Sequence, residues 1–506
     1  MRSPILWIFL LATGLYSVTI GYQFAYDDTL QILLNPQVTE HLPFLDLSRR
    51  LFAEPSPPGN LFRPFATMSY ALTNIFFGLS PSIFHGSNII LYGIVCVLVF
   101  CLVNAVTKNQ HLATVATLLF AVHPLHTEVV ANVIGRAELG STLFVLLACF
   151  AAARSARSSG SVSVAAFAGL TMLLLLTATL WKESSLTACI LIPYFAFLTS
   201  PGEHGRIFRF TRMLPVVSAV LGAALMSLLL RRYALGDNFT LHQDGRIWPE
   251  NPIFHLSFTE RIIPSFKIFG DYIRLLVLPL HQSADYSSMP EYFFERLYSM
   301  DGAYSLVAAF LVPLWGFTRC ESSSRFFTLW LVGSFALTIN LFVPIGTLMG
   351  DRLTFLPSIG ACSLVAFGLQ ALSKRLDCKP FLLPTLLCSA YLILSAYRIP
   401  VWQNNSILFA HTALDAPYSP KAHYNVGVQA VLRDPQSTEG EAAFRKALDI
   451  HPKYVLPTRA LADIMLARKD FGRLEFWYRQ LLELTPEDET VRKNLNQLEE
   501  FKRAPR

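Results

Sequence analysis

The sequence predicts an all-α protein in which a polytopic bundle of transmembrane helices precedes a short helical repeat segment. Hydrophobic residues make up 53% of the 506 residues and charged residues only 15%, a balance that soluble domains do not show. Apolar runs of roughly 15–20 residues, about the length that crosses a bilayer, recur as far as residue 397. From residue 398 onward the sequence is polar, charged and repetitive.

Eleven apolar runs are predicted to cross the membrane. They lie at 4–22, 86–106, 110–124, 139–153, 163–180, 184–198, 213–230, 302–317, 326–345, 353–372 and 381–397. The run 261–280 is different, because Lys267, Asp271 and Arg274 fall on one helical face. Each charge would cost about 3 kcal/mol at the bilayer centre. We interpret this run as an amphipathic helix that lies in the interface or re-enters the membrane.

Loop charges predict the orientation of the bundle. With eleven spans and a cytosolic N-terminus, the short cytosolic segments carry twelve Lys and Arg residues and the short external loops three. A twelfth crossing would weaken this positive-inside bias. The first run is predicted to be an uncleaved anchor, although a cleaved secretory signal would place the following chain on the same side. The net charge of +6 therefore reflects orientation and does not indicate nucleic-acid binding.

The unusual polar clusters all fall on the predicted external side, in or directly beside loops 23–85, 125–138, 231–301 and 346–352 or in the short hairpin near residue 182. They are AYDDTL (25–30), NLFRPFATMSY (60–70), AVHPLHTEVVANVIGRAEL (121–139), LWKES (180–184) and MGDRLTFLPS (349–358). Polar groups at a membrane edge are costly unless they face a cavity or one another. Their convergence predicts a cavity at the membrane boundary that accepts a polar substrate beside a lipid.

Each cluster also has a purely structural interpretation. Asp28 stands before an apolar run and is suited to cap a helix. His123 and His126 resemble a metal pair, but no third ligand with ordinary spacing follows. Lys182-Glu183 lies in a tight hairpin and is able to pair with itself, and Arg352 is suited to anchor a helix at the interface. The shared side of the clusters favours a functional site.

The segment 398–506 contains a helical repeat. ALD at 413–415 returns at 447–449, and helix-breaking prolines stand at Pro420, Pro452 and Pro486. A period near 34 residues is typical of tetratricopeptide repeats, of which about two and a half fit here. The segment is predicted either to bind peptides on a concave face or to act as a packing spacer. Two N-glycosylation sequons, at Asn238 and Asn404, lie in predicted external segments.

These strings resemble a known family. AYDDTLQILLNP, the FRPFATMSY segment, LLFAVHPLHTEVVANVIGRAEL, WKES and GDRLTFLPSIG occur in this order before the repeats. In the sequence and order of these strings, which extend over nearly its whole length, the chain resembles the transmembrane and tetratricopeptide-repeat-containing O-mannosyltransferases. It departs from them in having few repeats, and in WKES, where a glutamine is expected after the Lys-Glu pair.

The resemblance implies a fold, a location and an activity. It implies that residues 1–397 form a GT-C glycosyltransferase domain in the endoplasmic reticulum membrane. The N-terminus is then cytosolic and residues 398–506 are lumenal; a bacterial version would be in the inner membrane with periplasmic repeats. It implies transfer of mannose from dolichyl-phosphate-mannose, a polyprenyl-phosphate donor, to Ser or Thr of secretory-pathway proteins, including cadherin-like β-sandwich domains.

The resemblance also implies roles for the polar residues. An aspartate of the first external loop is expected to deprotonate the acceptor hydroxyl, with Asp27 as the candidate and Asp28 as its competitor. Cationic side chains are expected to bind the lipid phosphate, namely Arg63, Arg136, Lys182 and Arg352. Supporting roles are expected for His123, His126, Glu128, Glu138, Glu183 and Asp351. We expect inversion at the anomeric carbon, no metal and no cofactor.

Two alternatives remain open from the sequence. One is a non-catalytic, membrane-anchored scaffold that uses the repeats to hold a lumenal partner. The other is a GT-C enzyme that uses another lipid-linked sugar or another acceptor, which the short repeat array makes plausible. The set of polar groups at the membrane edge favours an enzyme, since a simple anchor has no physical reason to retain them.

Overall fold

The computed structural model describes residues 4–56, 61–200, 205–236, 251–319 and 321–503. Within these ranges the regular structure is helical, and the only β-type pairing is one isolated bridge between Ser56 and Leu61. The all-α fold class predicted from the sequence is therefore confirmed.

Seventeen helices precede residue 399 in the described chain. They are α1 (Pro4–Tyr16), α2 (Pro36–Thr39), α3 (Phe44–Ala53), α4 (Pro64–Phe77), α5 (Pro81–Thr107), α6 (Gln110–Ala121), α7 (Thr127–Ala131), α8 (Arg136–Arg157), α9 (Ser161–Trp181), α10 (Ala188–Thr199), α11 (Gly205–Leu235), α12 (Phe258–Val277), α13 (Pro290–Leu297), α14 (Met300–Thr318), α15 (Ser322–Phe335), α16 (Phe355–Arg375) and α17 (Leu382–Arg398). Short 3-10 turns extend several of them.

Eight helical segments of the described chain are long and apolar enough to cross a bilayer. They are Pro4–Gly21, Pro81–Thr107, Val133–Arg157, Ser161–Trp181, Thr211–Leu235, Met300–Thr318, Asp351–Arg375 and Leu382–Trp402. Each overlaps one of the predicted spans. The protein is therefore a polytopic membrane protein, as the apolar runs predicted.

Two other predicted spans correspond to helices that are bent or short. The run 110–124 corresponds to α6, which is bent by 51° against the segment Pro124–Ala131. If this bent pair is one span, the described chain holds up to nine. The run 184–198 corresponds to the shorter apolar helix Glu183–Thr199. The count of eleven spans remains a prediction.

The prediction of a helical span at 326–345 is wrong at its C-terminal end. Helix α15 ends at Phe335, and turns and bends follow as far as Gly350. Asn340 has a left-handed φ of 62°, and its side chain donates to the Thr347 and Leu348 carbonyls. Because these bonds fold residues 340–348 into a compact loop, the apolar sequence cannot continue as a helix.

Helix α12, the ambiguous amphipathic run, packs antiparallel along α14. The rings of Phe266 and Phe310 stack with centroids 5.5 Å apart, and Arg274 Nη1 donates to Asp301 Oδ1 at 2.7 Å. Between these contacts the backbones of Gly270 and Ser305 approach too closely for any side chain at position 270. Since α12 follows a candidate span lengthwise, this packing favours re-entry into the membrane over a position flat in the interface.

The helices of the bundle share one large apolar core rich in aromatic side chains. Trp330 and Phe335 of α15 and Phe355 of α16 are fully buried there. The Trp330 indole donates to the Leu356 carbonyl at 2.9 Å, which satisfies its polar atom inside the core. Gly360 lies directly against the α15 backbone, as small residues commonly do where transmembrane helices pack closely.

Residues 405–503 form a second set of helices with their own core. They are α18 (Asn405–Asp415), α19 (Pro420–Arg433), α20 (Thr438–Ile450), α21 (Val455–Ala467), α22 (Phe471–Leu484) and α23 (Glu489–Arg503). The glycine at 427 leaves room for the Phe444 ring between α19 and α20. Leu461, Leu474 and Leu481 are buried between α21 and α22. These hairpins fit a helix–turn–helix repeat, while the tetratricopeptide assignment and the boundary near 398 remain predictions.

Candidate functional site at the end of the helical bundle

Asp28 is a buried structural anchor for the first external segment. Its carboxylate accepts backbone N–H bonds from Ala25 at 3.1 Å, Val133 at 3.3 Å and Ile134 at 2.9 Å. Burial raises the pKa of Asp28 to about 7, and the three N–H groups act in the opposite direction. The side chain makes no capping bond to the following helical turn, so the helix-cap interpretation is wrong. Asp28 instead ties the chain near residue 25 to the 133–134 turn.

Asp27, the neighbouring carboxylate, remains partly open to solvent. About a third of its side chain is exposed (36%), and its Oδ2 lies 3.8 Å from Arg352 Nη1. Arg352 is held by Glu128, which is buried and accepts from both Nη1 and the backbone N–H of Arg352 at 2.8 Å. Because Glu128 is the counter-ion of Arg352, the Asp27 carboxylate lies near this cation but forms no hydrogen bond with it.

Arg63 and Glu183 form a second ion pair between distant segments. The Arg63 guanidinium donates to the Glu183 carboxylate twice, from Nε at 3.0 Å and from Nη2 at 2.6 Å. This bidentate geometry is the strong form of an arginine–carboxylate pair. Since Glu183 pairs with Arg63, the interpretation of Lys182-Glu183 as a self-paired turn is wrong.

Lys182 has its own partner, Glu138, and both side chains are buried. The Lys182 ammonium donates to Glu138 Oε1. Burial, followed by the positive charges of Arg63 and Arg352, lowers the pKa of Lys182 well below its usual range. The three cations are therefore close enough to act on one another. We call Asp27, Arg63, Glu128, Glu138, Lys182, Glu183 and Arg352 the edge cluster.

The edge cluster combines two chemical capacities. Each of its three cations is matched by one carboxylate, and Asp27 is the additional carboxylate. An anionic group arriving beside the cations would meet a positive field that is already oriented. A hydroxyl beside Asp27 would meet a carboxylate with free lone pairs. The arrangement therefore suits a reaction in which a proton is removed while a negative leaving group develops.

Arg136 is not part of this arrangement, although the sequence grouped it with the other cations. Its guanidinium makes five hydrogen bonds, to Asn88 Oδ1, Thr73 Oγ1, Ser87 Oγ and the carbonyls of Ser69 and Phe84. It is also enclosed between the rings of Tyr70 and Phe84, each 5.1 Å away. An arginine has five N–H groups, so no donor is left for a phosphate. The structure gives Arg136 a packing role instead.

His123 and His126 are buried and fully used by protein groups. His123 Nε2 lies 3.0 Å from the Leu276 carbonyl, and its Nδ1 accepts from the Leu125 N–H. The two ring nitrogens of His126 lie 2.9 Å from the hydroxyls of Tyr92 and Ser358. Among the described residues no group of three His, Cys, Asp or Glu side chains is arranged to hold a metal. His123 packs against Tyr391, and His126 packs against Phe120 and Phe355, so both histidines serve the packing of the bundle.

Asp351 forms no ion pair with the cations of the edge cluster among the described contacts. It is buried and accepts a bond of 2.6 Å from the Tyr286 hydroxyl. This contact ties the start of α16 to the loop before α13. Asp351 therefore supports the position of Arg352 through the backbone, not through an ion pair.

Only one of the two sequons lies within the described residues. Asn238 lies outside the described residues. Asn404 is half-buried, and its side-chain oxygen caps α18 by accepting from the Ile407 N–H at 3.0 Å. The use of either as a glycosylation site remains a prediction.

Several residues of this region carried no signal in the sequence. Asn88 holds Arg136, Tyr286 holds Asp351, and Asn405 contacts the segment that carries Asp27. Each lies far from its partner along the chain, and a single uncharged polar residue is too common to be noticed. Only the fold brings these pairs together.

Fold and site together define a class of protein: an all-α, polytopic membrane protein with a cation-rich polar site built from the segments that join its spans. Such a site suits an anionic group carried by a membrane lipid. Within this class, the chain is similar in sequence to one group of named proteins.

The chain is similar to proteins named protein O-mannosyl-transferases. It is 27% identical to human TMTC1 over 485 residues, which cover 87% of this chain and 54% of that protein. It is 27% identical to F38B6.6 of Caenorhabditis elegans over 453 residues, covering 87% and 61%. It is 28% identical to mouse TMTC4 over 463 residues, covering 80% and 61%. The family resemblance predicted from the sequence is therefore confirmed.

The chain spans between about half and three-fifths of the length of these relatives. No family model matches the chain, and no solved structure gives a significant match.

Proposed function

We propose that this protein is an inverting glycosyltransferase that transfers mannose from dolichyl-phosphate-mannose to Ser or Thr hydroxyls of secretory-pathway proteins. The relatives' names support the mannosyl transfer. The observation that carries the proposal is the partly exposed Asp27 carboxylate, 3.8 Å from Arg352, with Arg63 and Lys182 close to the same site.

Asp27 is the general base in this proposal. A Ser or Thr hydroxyl loses its proton only with difficulty at neutral pH, so a carboxylate must align with it during attack. Asp28 is a poor candidate because three backbone N–H groups occupy its carboxylate in a buried position. Asp27 has the exposure that an approaching hydroxyl requires.

The transfer step follows from these positions. The acceptor oxygen attacks the anomeric carbon from the face opposite the phosphate, and its proton passes to the Asp27 carboxylate. The bond between the anomeric carbon and the phosphate oxygen breaks, and its electron pair leaves with the lipid phosphate. Arg352, Arg63 and Lys182 stabilise the charge that develops on that phosphate. Glu128, Glu183 and Glu138 hold these cations in place before the donor arrives.

The site and the C-terminal helices lie on the same side of the bundle. The Gln23 N–H donates to the Gln403 carbonyl at 3.0 Å, and Ser287 Oγ lies 2.9 Å from Ser419 Oγ. Helix α18 and the start of α19 thereby lie next to the site, and the C-terminal helices would present the acceptor protein there, including cadherin-like β-sandwich domains. In an endoplasmic reticulum membrane with a cytosolic N-terminus, both would be lumenal.

Transfer of labelled mannose tests the proposal directly. The full-length protein is reconstituted in lipid nanodiscs with dolichyl-phosphate-mannose and a secreted β-sandwich acceptor domain. We expect the wild type to transfer mannose. In Asp27→Asn we expect the transfer rate to fall about 100- to 10,000-fold, because the substitution removes the base and keeps the shape of the side chain. Asp46→Asn, at an exposed aspartate of α3, is the matched control and should retain full transfer.

The outcomes separate the alternatives. Transfer from another lipid-linked sugar, but not from the mannose donor, would replace the donor while keeping the role of Asp27. Failure of the wild type to transfer any such sugar to protein or glycan acceptors would favour the scaffold function.

A further inference from the structure

The segment that carries Asp27 is attached to the first helix of the C-terminal set. The Tyr26 N–H donates to Asn405 Oδ1 at 2.6 Å, a bond between residues 379 positions apart. The Tyr26 ring makes an edge contact with Trp402 at 6.3 Å and lies 6.0 Å from the Phe409 ring. The Lys421 ammonium stands over the same ring at 5.9 Å. Tyr26 is thus enclosed by residues from the end of the last candidate span and from the helices that follow it.

Tyr26 has a backbone conformation that needs such support. Its φ is +57°, in the left-handed region that a bulky non-glycine residue rarely adopts. The conformation reverses the chain so that Asp28 reaches the Ala25 N–H behind it and the 133–134 turn. It also leaves the Tyr26 N–H without a partner in its own segment, and Asn405 supplies that partner.

Asp27 therefore lies between two anchors from different parts of the protein. On its C-terminal side, Asp28 is fixed to the membrane bundle through the 133–134 turn. Asn405 fixes Tyr26, on the other side, to α18. The Asp27 side chain makes no hydrogen bond within the described residues that would hold it independently, and its contact with Arg352 is longer than a hydrogen bond. Its position relative to Arg352 is thus set by the two neighbouring backbone anchors.

We propose that Asn405 is a positioning residue for the catalytic carboxylate, and that α18 is consequently a structural part of the active site. This inference rests on the proposed function of Asp27. The C-terminal helices then contribute to the chemical step and not only to the choice of acceptor. Loss of the Asn405 bond releases the Tyr26 turn, and Asp27 samples positions that are not aligned for attack.

Two substitutions distinguish this role from general stability. Asn405→Ala removes the acceptor oxygen, whereas Asn405→Asp keeps one and places a negative charge in the first turn of α18, where it is tolerated. For Asn405→Ala we expect kcat to fall by at least about fivefold, with the KM for the lipid donor unchanged, because misalignment of a reacting group affects turnover. For Asn405→Asp we expect kcat within about threefold of wild type, because the Tyr26 N–H retains a partner.

Backbone hydrogen exchange provides a readout that does not depend on activity. In the full-length protein in detergent, peptides covering residues 22–34 should exchange faster in Asn405→Ala and at the wild-type rate in Asn405→Asp. Ser406→Ala is the matched control, because it removes the Asn404 sequon without touching Tyr26. It should leave both exchange and kcat unchanged, which separates the bond from any attached glycan.

The proposal is overturned by unchanged exchange at 22–34 in Asn405→Ala, by faster exchange with unchanged kcat, or by a loss of kcat that Asn405→Asp does not restore. If the wild type transfers no sugar at all, the proposed function fails. The exchange experiment then still decides whether Asn405 holds this turn, and unchanged exchange rejects the anchor itself.

Discussion

Arg136 and Arg352 were equivalent candidates in the sequence, and the structure gives them opposite environments. Arg136 donates five hydrogen bonds to neutral groups and is enclosed by two aromatic rings. Arg352 uses Nη1 toward Glu128 and Asp27, and a quarter of its side chain (25%) is exposed. The first arginine is satisfied by the fold, whereas the second keeps donors for a ligand.

This difference shows which property separates an arginine that is fully used by the fold from one that keeps donors for a ligand. Both arginines are charged residues at the ends of candidate spans, where polar groups are costly. In the Arg136 pocket the cost is offset by complete hydrogen bonding, so the residue contributes to folding. In the edge cluster hydrogen-bonding capacity remains, as expected of a preorganised binding site. Unused N–H donors, and not the charge alone, distinguish Arg352 from Arg136.

Arg352→Gln should have the largest effect of the variants that test this contrast. The substitution removes the charge next to Asp27 and leaves buried Glu128 without its cation. We expect at least about a 100-fold loss of mannose transfer, because preorganised charge on the leaving group is lost. Initial rates at saturating acceptor measure this effect.

Arg49→Gln, at a largely exposed arginine of α3, is the matched control and should keep the wild-type rate. Transfer by Arg352→Gln within a few-fold of wild type would remove this arginine from the proposed phosphate site. Restoration by Arg352→Lys would indicate that charge matters more than the planar guanidinium.

Arg136→Lys should act on stability and not on the chemistry. Lysine has three donors and no planar fork, so several buried acceptors lose their partner. We expect a loss of about 3 kcal/mol in the free energy of unfolding. Thermal unfolding in detergent measures it as a lower Tm, with the donor KM of the remaining folded protein unchanged. The control is Arg154→Lys, at an exposed position of the same helix.

An unchanged Tm in Arg136→Lys, combined with a raised donor KM, would contradict the packing role. It would show that Arg136 contacts the donor despite its five internal bonds.

Removal of divalent metal should have the smallest effect. His123 and His126 use their ring nitrogens for protein contacts, and the cations of the edge cluster supply the positive charge. We expect EDTA to change the transfer rate by less than about twofold, since no metal is needed to stabilise the leaving phosphate. A large fall in the transfer rate in EDTA, reversed by added Mg²⁺ or Mn²⁺, would contradict this mechanism.

Eight of the eleven predicted spans coincide with described helices that are long and apolar enough to cross a bilayer, because hydropathy acts locally. An apolar run must be buried in lipid or protein wherever it occurs, so the candidate spans follow the apolar runs. The end of α15 was not predictable, because it depends on the bonds of Asn340 to residues that follow it. The ambiguity of α12 has the same origin, since Arg274 pairs with Asp301 on α14 and Asp271 accepts from Ser305 on α14. Lys267 pairs with Asp271 within α12 itself.

Within the site, the sequence identified the residue types but not their partners. Asp27 and Asp28 are identical and adjacent, and their different environments depend on the left-handed Tyr26 turn and on N–H groups more than 100 residues away. Glu183 was grouped with its neighbour Lys182, but the fold pairs it with Arg63. Such pairings are set by long-range packing, which residue patterns in a single sequence do not encode.

The most direct test of the central claim compares turnover and folding in Asp27→Asn and Asp28→Asn under identical conditions. We expect Asp27→Asn to keep the wild-type Tm and to lose transfer, because the open carboxylate is the proposed base. We expect Asp28→Asn to lower the Tm, because an amide replaces an acceptor of three backbone N–H groups. Full transfer by Asp27→Asn, together with complete loss of transfer in a stably folded Asp28→Asn, would show that Asp28 and not Asp27 is the base.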